Sequence, residues 1–497
     1  MRRLLTFALL IAALSTALVA LPTLTTASAK PRPVPASVER IPLAALEAGL
    51  RTTGALRTDP RRTRPFSLMG VTWRPDPAIG EVEVEFRSRT GGRWTEWEAV
   101  EADTDDAPDA GSADTRGADF RVGTAPIWTG PSDGVQVRVR ALSGAKPRDV
   151  AIELVDPGTS PADALVDGPR DQAHAEAPMP QIITRSEWGA DESIRRGSPS
   201  YNSTVKVGFV HHTASSNAYT PEQAAQMVRG IYAYHVKSNG WSDIGYNYLV
   251  DRYGRAYEGR AGGLDTFVVG AHTGGFNKDS FAVSLLGDFS TVPPATATVG
   301  MLTDVLAWKL GAAYRDPLGK AVLTSAGGGT SKYSAGTQAT FDVVSGHRDA
   351  GNTACPGATT YARMGEIRSA VDAKLGAGLA DPVVTGKAEQ PRGSSEVVSA
   401  SARTLGELDW TATVEDGSGA VLKSESGVSP DGGAVSLAWD LTGPDGRPAR
   451  AGTYYLRLAG TTEGDRALPF VRTVVVKEHA CRGTPLERAR CKVSKRR

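Results

Sequence analysis

"VKVGFVHHTAS", residues 205–215, is an apolar run of strand length that ends on two adjacent histidines. Its β-branched and aromatic residues favour a buried strand. The stretch "TPEQAAQMVRGIYAYHVKSNG", residues 220–240, then carries the marks of a helix. Thr220 stands at the N-cap, Pro221 at the first helical position and Gln223 where a capping box needs it. Ala224, Met227, Val228 and Ile231 recur at helical spacing, and Gly240 is a natural stop. "YNYLVDRYGRAYEG" (246–259) reads as a hairpin turning at Arg252 to Gly254, and "FAVSLLGDF" (281–289) as a buried strand. "MLTDVLAWKLGAAY" (301–314) and "TTYARMGEIRSAVDAKLG" (359–376) read as amphipathic helices, the second turning Met364, Ile367, Val371 and Leu375 inward. Strands interleaved with helices make residues 182–375 an α/β domain.

The flanks have a different period. "EVEVEFRS" (81–88) places Val82, Val84 and Phe86 on one face, and "VQVRVRA" (135–141) does the same with Val135, Val137 and Val139, so residues 61–155 are expected to form an all-β domain. Its Trp73, Trp94, Trp97 and Trp128 suit a sugar-stacking platform or, more commonly, ordinary sheet packing. Short alternating strands separated by turn residues return over 395–477, as in a β-sandwich. Residues 30–60, rich in Pro, Ala and Arg without a period, are expected to be a flexible leader, and 156–181 and 376–394 to be linkers. The acidic stretch 101–119 lacks the spacing and glycine of a calcium loop and is expected to be a solvated loop, like the Gly/Ser-rich 324–340.

The 497 residues carry a net charge of +1, which gives no global pull toward nucleic acid or an acidic membrane. Two arginines, an apolar run and Ala27-Ser28-Ala29 mark residues 1–29 as a signal peptide, and Ser15, Thr16 and Pro22 interrupt the run before it makes a comfortable membrane span. The expected protein is therefore secreted, with no stable membrane insertion after cleavage. It has three cysteines, Cys355, Cys481 and Cys491. The last two lie ten positions apart in the basic tail 478–497 and could close a small disulfide loop.

The third cysteine sits in "SGHRDAGNTACPG" (345–357), eight positions after His347. Zinc accepts imidazole and thiolate together, and a catalytic zinc is held by three protein ligands with water in the fourth position. A histidine from 211–212 with His347 and Cys355 would supply that set. Adjacent strand residues point to opposite faces, so at most one of His211 and His212 can be a ligand. His235 and His272 are taken individually as structural or substrate-lining. A cysteine peptidase using Cys355 with His347 remains a second reading of the same residues.

"RSEWGA" (185–190), "VHHTAS" (210–215), "HVKSNGWSDIGYNYLVDRYGRAYEGR" (235–260), "GAHTGGFN" (270–277), "VSLLGDF" (283–289) and "GHRDAGNTACPG" (346–357) resemble, in that order, the successive signatures of the peptidoglycan recognition protein and zinc-dependent N-acetylmuramoyl-L-alanine amidase family. The resemblance covers about 182–375 and implies a mixed central sheet flanked by helices. It implies Zn2+ bound by His211, His347 and Cys355, with Tyr246 as catalytic tyrosine and Thr353 as its assistant. The implied reaction is hydrolysis of the amide between N-acetylmuramic acid and L-alanine, at the cell wall. Some relatives bind peptidoglycan without cleaving it and lack the cysteine or another ligand, so a non-catalytic binder is the alternative. No general base is assigned, because a neutral tyrosine is a poor base. Asp349 is expected to be structural. "WDLTGPDGRPARAGTYYLRL" (439–458) resembles the immunoglobulin-like module of the flagellar hook-capping protein, which implies a spacer or wall-contact module over 395–477. The basic tail could contact anionic wall polymers, or simply be solvated.

Overall fold

The computed structural model describes residues 32–101, 107–117, 119–164, 178–328, 331–392, 394–462 and 465–478. The expected signal peptide, Cys481, Cys491 and the basic tail beyond 478 lie outside the described residues, as does the middle of the 156–181 segment. Among the described residues no helix is long and apolar enough to cross a membrane.

The central domain is built on a six-stranded mixed sheet, in the order Ile182–Ile183, Ala256–Glu258, Tyr248–Val250, Ser280–Leu285, Val207–His212, Val344–Gly346. Only the hairpin pair Tyr248–Val250 and Ala256–Glu258 runs antiparallel; the other neighbours are parallel. Val207–His212 is buried along its whole length between two parallel neighbours, which is why it reads as a continuous apolar run. Helices Thr296–Ala312 and Met364–Leu375 cover one face, and helix Pro221–Ala233 the other. The capping box of Thr220 and Gln223 is formed, the Gln223 side chain accepting the Thr220 N–H at 2.8 Å. That helix widens into a π-turn at Tyr234–Ser238, and Gly240, at φ 79°, lets the chain turn away where a side chain would strike Asp119.

The N-terminal β domain starts earlier than its sequence period suggests. Ser37–Pro42 pairs antiparallel with Ala151–Asp156, and Ala55–Arg57 pairs with Ile127–Ala141, so two segments of the expected leader are strands of a nine-stranded sheet, with the short helix Glu47–Thr53 between them. Ser37–Pro42 buries only Ile41, so backbone hydrogen bonds hold the strand and no side-chain alternation announces it. Trp73 and Trp128 are core residues; Trp94 and Trp97 are half-buried, and the Arg138 guanidinium lies 3.7 Å over the Trp97 ring.

This domain and the central one share a core. Leu68, Trp128 and Val155 pack with Val228, Ile231 and Tyr234 in one cluster, and a side chain at Gly70 would occupy the place of the Tyr234 ring. The first part of the 156–181 segment is docked too: Asp163 is buried and takes both Nη atoms of Arg229 at 2.7 and 2.8 Å. The described part of the acidic stretch, 107–117, is likewise no solvated loop. Asp114 is buried against Arg260, 2.7 Å from its Nη2, and accepts the Ser242 N–H at 2.8 Å. Asp109 accepts the Gly275 N–H at 2.9 Å and the Asn277 amide at 2.8 Å. Both carboxylates find their partners in another domain, beyond the reach of local sequence reading.

The C-terminal domain packs a three-stranded sheet on a six-stranded one around Leu437, Trp439, Leu456 and Val474. It begins at Gly378 rather than after a linker ending at 394: Gly378–Thr385 is an edge strand whose register shifts between Ala380 and Val383, around Asp381 and Pro382. An edge bulge is where a sheet tolerates proline, and the same residues imitate a linker in sequence. Arg315 bridges to Asp381 at 2.9 Å and joins this domain to the central one.

Candidate metal centre

Strand pairing brings two of the donors together. Val207–His212 runs parallel to Val344–Gly346 with Val210 opposite Gly346, so the next step sets His211 beside His347. Their rings lie 4.4 Å apart between centroids. The loop after His347 opens as a tight turn closed by Asp349, whose carboxylate accepts the Gly346 N–H at 2.9 Å and the Tyr361 hydroxyl at 2.5 Å. Asp349 is thus structural, as expected. The loop doubles back so that Arg348 N–H donates to the Cys355 carbonyl at 2.9 Å. Cys355 Sγ then stands 3.7 Å from His211 Nδ1 and accepts the His212 backbone N–H at 3.4 Å.

The ligand atoms of His211, His347 and Cys355 all lie within 4.8 Å of one another, and all three residues are buried. A tetrahedral zinc, with Zn–N about 2.0–2.1 Å and Zn–S about 2.3 Å, needs donors about 3.3–3.6 Å apart, which about 1 Å of closure would reach. Two imidazoles and a thiolate are a zinc-type donor set. Burial pushes the His211 imidazole down to about 3, so it is neutral, the form a metal requires. The residues present therefore fit a zinc ion.

His212 faces the other way. Its Nδ1 accepts the Phe289 N–H at 3.3 Å and lies 3.8 Å from Asp288, as the alternation of a strand requires. His235 stacks on Trp241 with centroids 4.4 Å apart and accepts the Gly245 N–H at 3.1 Å. The buried Tyr246 ring lies 5.6 Å from that of His211, and a side chain at Gly259 would collide with the Tyr246 carbonyl. Thr353 is half-buried, and its hydroxyl accepts the Cys355 N–H at 3.1 Å.

One residue escaped the sequence reading. Thr273 Oγ1 lies 3.1 Å from His211 Nε2 and 2.9 Å from His272 Nδ1, and all three residues are fully buried. Its only sequence signal is its place in "GAHTGGFN". Of the three donors Cys355 lines a cleft of about 1600 Å³, together with Thr353 and, from the other face of the strand, His212; the far side of the cleft belongs to the N-terminal β domain.

Comparison with known families places this geometry. Residues 201–358, which include all three donors, match the N-acetylmuramoyl-L-alanine amidase family. Residues 25–165 match the family described as Rv3811 N-terminal galactose-binding domain-like, and 393–464 the FlgD Ig-like domain. Peptidoglycan-recognition protein SC2 of Drosophila simulans is 31% identical over 192 residues, which cover 38% of this chain and 85% of that relative. Peptidoglycan recognition protein 1 of Bos taurus is 37% identical over 118 residues, 23% of this chain and 59% of that relative. The solved structure of Drosophila PGRP-LB aligns at 24% identity over 37% of this chain and 92% of that one, with a TM-score of 0.30. With most of the length of such a relative spanned at this identity, the chain belongs to the peptidoglycan recognition protein family, which shares the N-acetylmuramoyl-L-alanine amidase domain.

Proposed function

We propose that the protein hydrolyses the amide between N-acetylmuramic acid and L-alanine in peptidoglycan, using a zinc ion held by His211, His347 and Cys355. The observation that carries the reading is the buried cluster of these three donors, whose Cys355 lines an open cleft. Zinc in this place supplies Lewis acidity toward the amide carbonyl and a water of lowered pKa.

The chain's own residues do the rest. The neutral His211 presents Nδ1 toward Cys355. The His212 N–H stabilises the sulfur as a thiolate. The Tyr246 phenol donates a hydrogen bond to the amide oxygen as negative charge gathers there. The Thr353 hydroxyl, occupied as an acceptor by the Cys355 N–H, keeps its proton to donate to substrate or water. Water adds hydroxyl to the lactyl carbonyl carbon, the C–N bond breaks, and the L-alanine nitrogen leaves with a proton. The substrate lies outside the cell, which accords with a signal peptide over 1–29 and association with the wall.

Digestion of purified cell wall by the full-length chain, followed by mass spectrometry of the products, tests the reading. Free stem peptides beginning with L-alanine are expected, with loss on chelation, recovery with zinc, and none from His347→Ala. Intact stems on shortened glycans overturn it. Binding of the wall by zinc-loaded protein without any release makes the protein a non-catalytic recogniser, and inactivation by alkylation without metal dependence makes it a cysteine peptidase.

A further inference from the structure

The cleft that reaches Cys355 and Thr353 has a second wall, and nothing in the amidase reading assigns it a role. Val82 and Phe86 line it from one strand of the N-terminal β domain and Val100 from the neighbouring strand. Antiparallel pairing sets Val84 against Val100 and Phe86 against Glu98, so the Glu98 carboxylate shares this apolar side. Partial desolvation on this side raises the Glu98 carboxyl from its ordinary value although the residue stays exposed. The wall is fixed in place, since the domain carrying it is locked to the catalytic domain by the Asp114–Arg260 pair and the shared core. At about 1600 Å³ the cleft exceeds the roughly 300–1,000 Å³ of a small-molecule pocket and has room for a length of polymer.

Charge decides which part of the polymer. Asp76, Glu81 and Glu98 line the N-terminal wall and Asp288 the opposite one, while Glu83 is bridged by Arg140 at 2.7 Å. Among the described residues that line the cleft there is no lysine or arginine. A carboxylate accepts hydrogen bonds and donates none. Peptidoglycan offers two chemistries: stem peptides bearing several carboxylates, and a neutral glycan strand rich in hydroxyl and acetamido N–H donors. A wall that carries carboxylates and no cationic side chain repels the first and accepts hydrogen bonds from the second.

We propose that the N-terminal β domain forms a glycan-binding wall of the cleft, holding the neutral sugar strand that flanks the muramic acid whose amide lies at the metal centre. This inference rests on the amidase reading for the identity of the polymer, but its test measures binding. Full-length protein stripped of zinc is titrated calorimetrically with a peptide-free tetrasaccharide of the glycan strand and, separately, with the free stem peptide. The tetrasaccharide is expected to bind, and the double variant Glu81→Ala/Glu98→Ala to weaken it at least tenfold while leaving stem-peptide affinity unchanged. Both positions are exposed, so an unchanged melting temperature checks the fold. A tetrasaccharide that does not bind, that binds the variant equally well, or a loss confined to the stem peptide overturns the proposal. Failure of the amidase reading alone would leave glycan binding intact and remove only the hydrolysis.

Discussion

His211 Nε2 and Thr273 Oγ1 stand 3.1 Å apart in a fully buried site, on the side of the imidazole away from Cys355. With Nδ1 bound to the proposed zinc, Nε2 carries the ring proton and donates its hydrogen bond to the threonine. Thr273 therefore sets both the tautomer and the tilt of a proposed ligand. Thr273→Val, which keeps shape and removes the hydroxyl, is expected to weaken zinc binding about 10- to 100-fold. Thr273→Ser should recover most of it. Competition with a chromogenic chelator reads the affinity directly, and a valine variant that holds zinc like the wild type would remove Thr273 from this role.

Tyr246 is assigned to the developing charge on the amide oxygen, not to the metal. Tyr246→Phe should lower kcat about 10²- to 10³-fold with zinc content unchanged. Metal analysis beside steady-state rates separates the two effects, and a variant that has lost its zinc would place Tyr246 in metal retention instead.

Asp114 and Arg260 form an ion pair across the two domains, with side chains 8% and 7% exposed. Burial pushes the Asp114 carboxyl up, but Arg260 and the Ser242 bonds outweigh it and hold the group below its usual value of 3.8. A depressed carboxylate stabilises the fold above its unfolded pKa, so the lock persists at neutral pH and fails only as the pH falls below about 4. Asp114→Ala leaves a buried guanidinium unpaired and is expected to cost about 3–5 kcal/mol in denaturant unfolding. Asp114→Ala with Arg260→Met should be milder, and a harmless single variant would contradict the docking.

His235 gives a milder acid response. Burial, with Arg260 adding to it and Asp114 opposing, lowers its pKa from 6.5 to about 3. The folded state holds it neutral while the unfolded chain takes up a proton below 6.5, so stability falls as the pH drops from 6.5 toward 3. At about 1.4 kcal/mol per unit, the loss reaches about 2 kcal/mol by pH 5. His235→Asn, which can still accept the Gly245 N–H, should lose this part of the slope in urea unfolding at pH 7 and pH 5, and an unchanged slope would mean that His235 already titrates near its ordinary value.

What the sequence disclosed and what it hid divide along physical lines. The helix from Pro221 was legible because its cap, first-turn proline and apolar spacing are all local. The donors were legible because His211 lies at the end of a strand, His347 follows one and Cys355 closes a short loop, each within one of six stretches of a shared signature. Ser37–Pro42 was hidden because an edge strand is held by its backbone. Asp109, Asp114 and Asp163 were hidden because a carboxylate in an acidic, proline-rich segment looks solvated until its partner, far along the chain, is known. Thr273 was hidden because a hydroxyl has no pattern of its own.

The shared core also has a consequence for synthesis. The N-terminal sheet is complete once Ala151–Asp156 has left the ribosome, yet Leu68 and Trp128 then still face solvent, because the helix Pro221–Ala233 that covers them has not emerged. A nascent domain with an uncovered apolar patch is open to aggregation and to chaperone capture. Maturation of the N-terminal domain therefore waits on translation of the first helix of the central one.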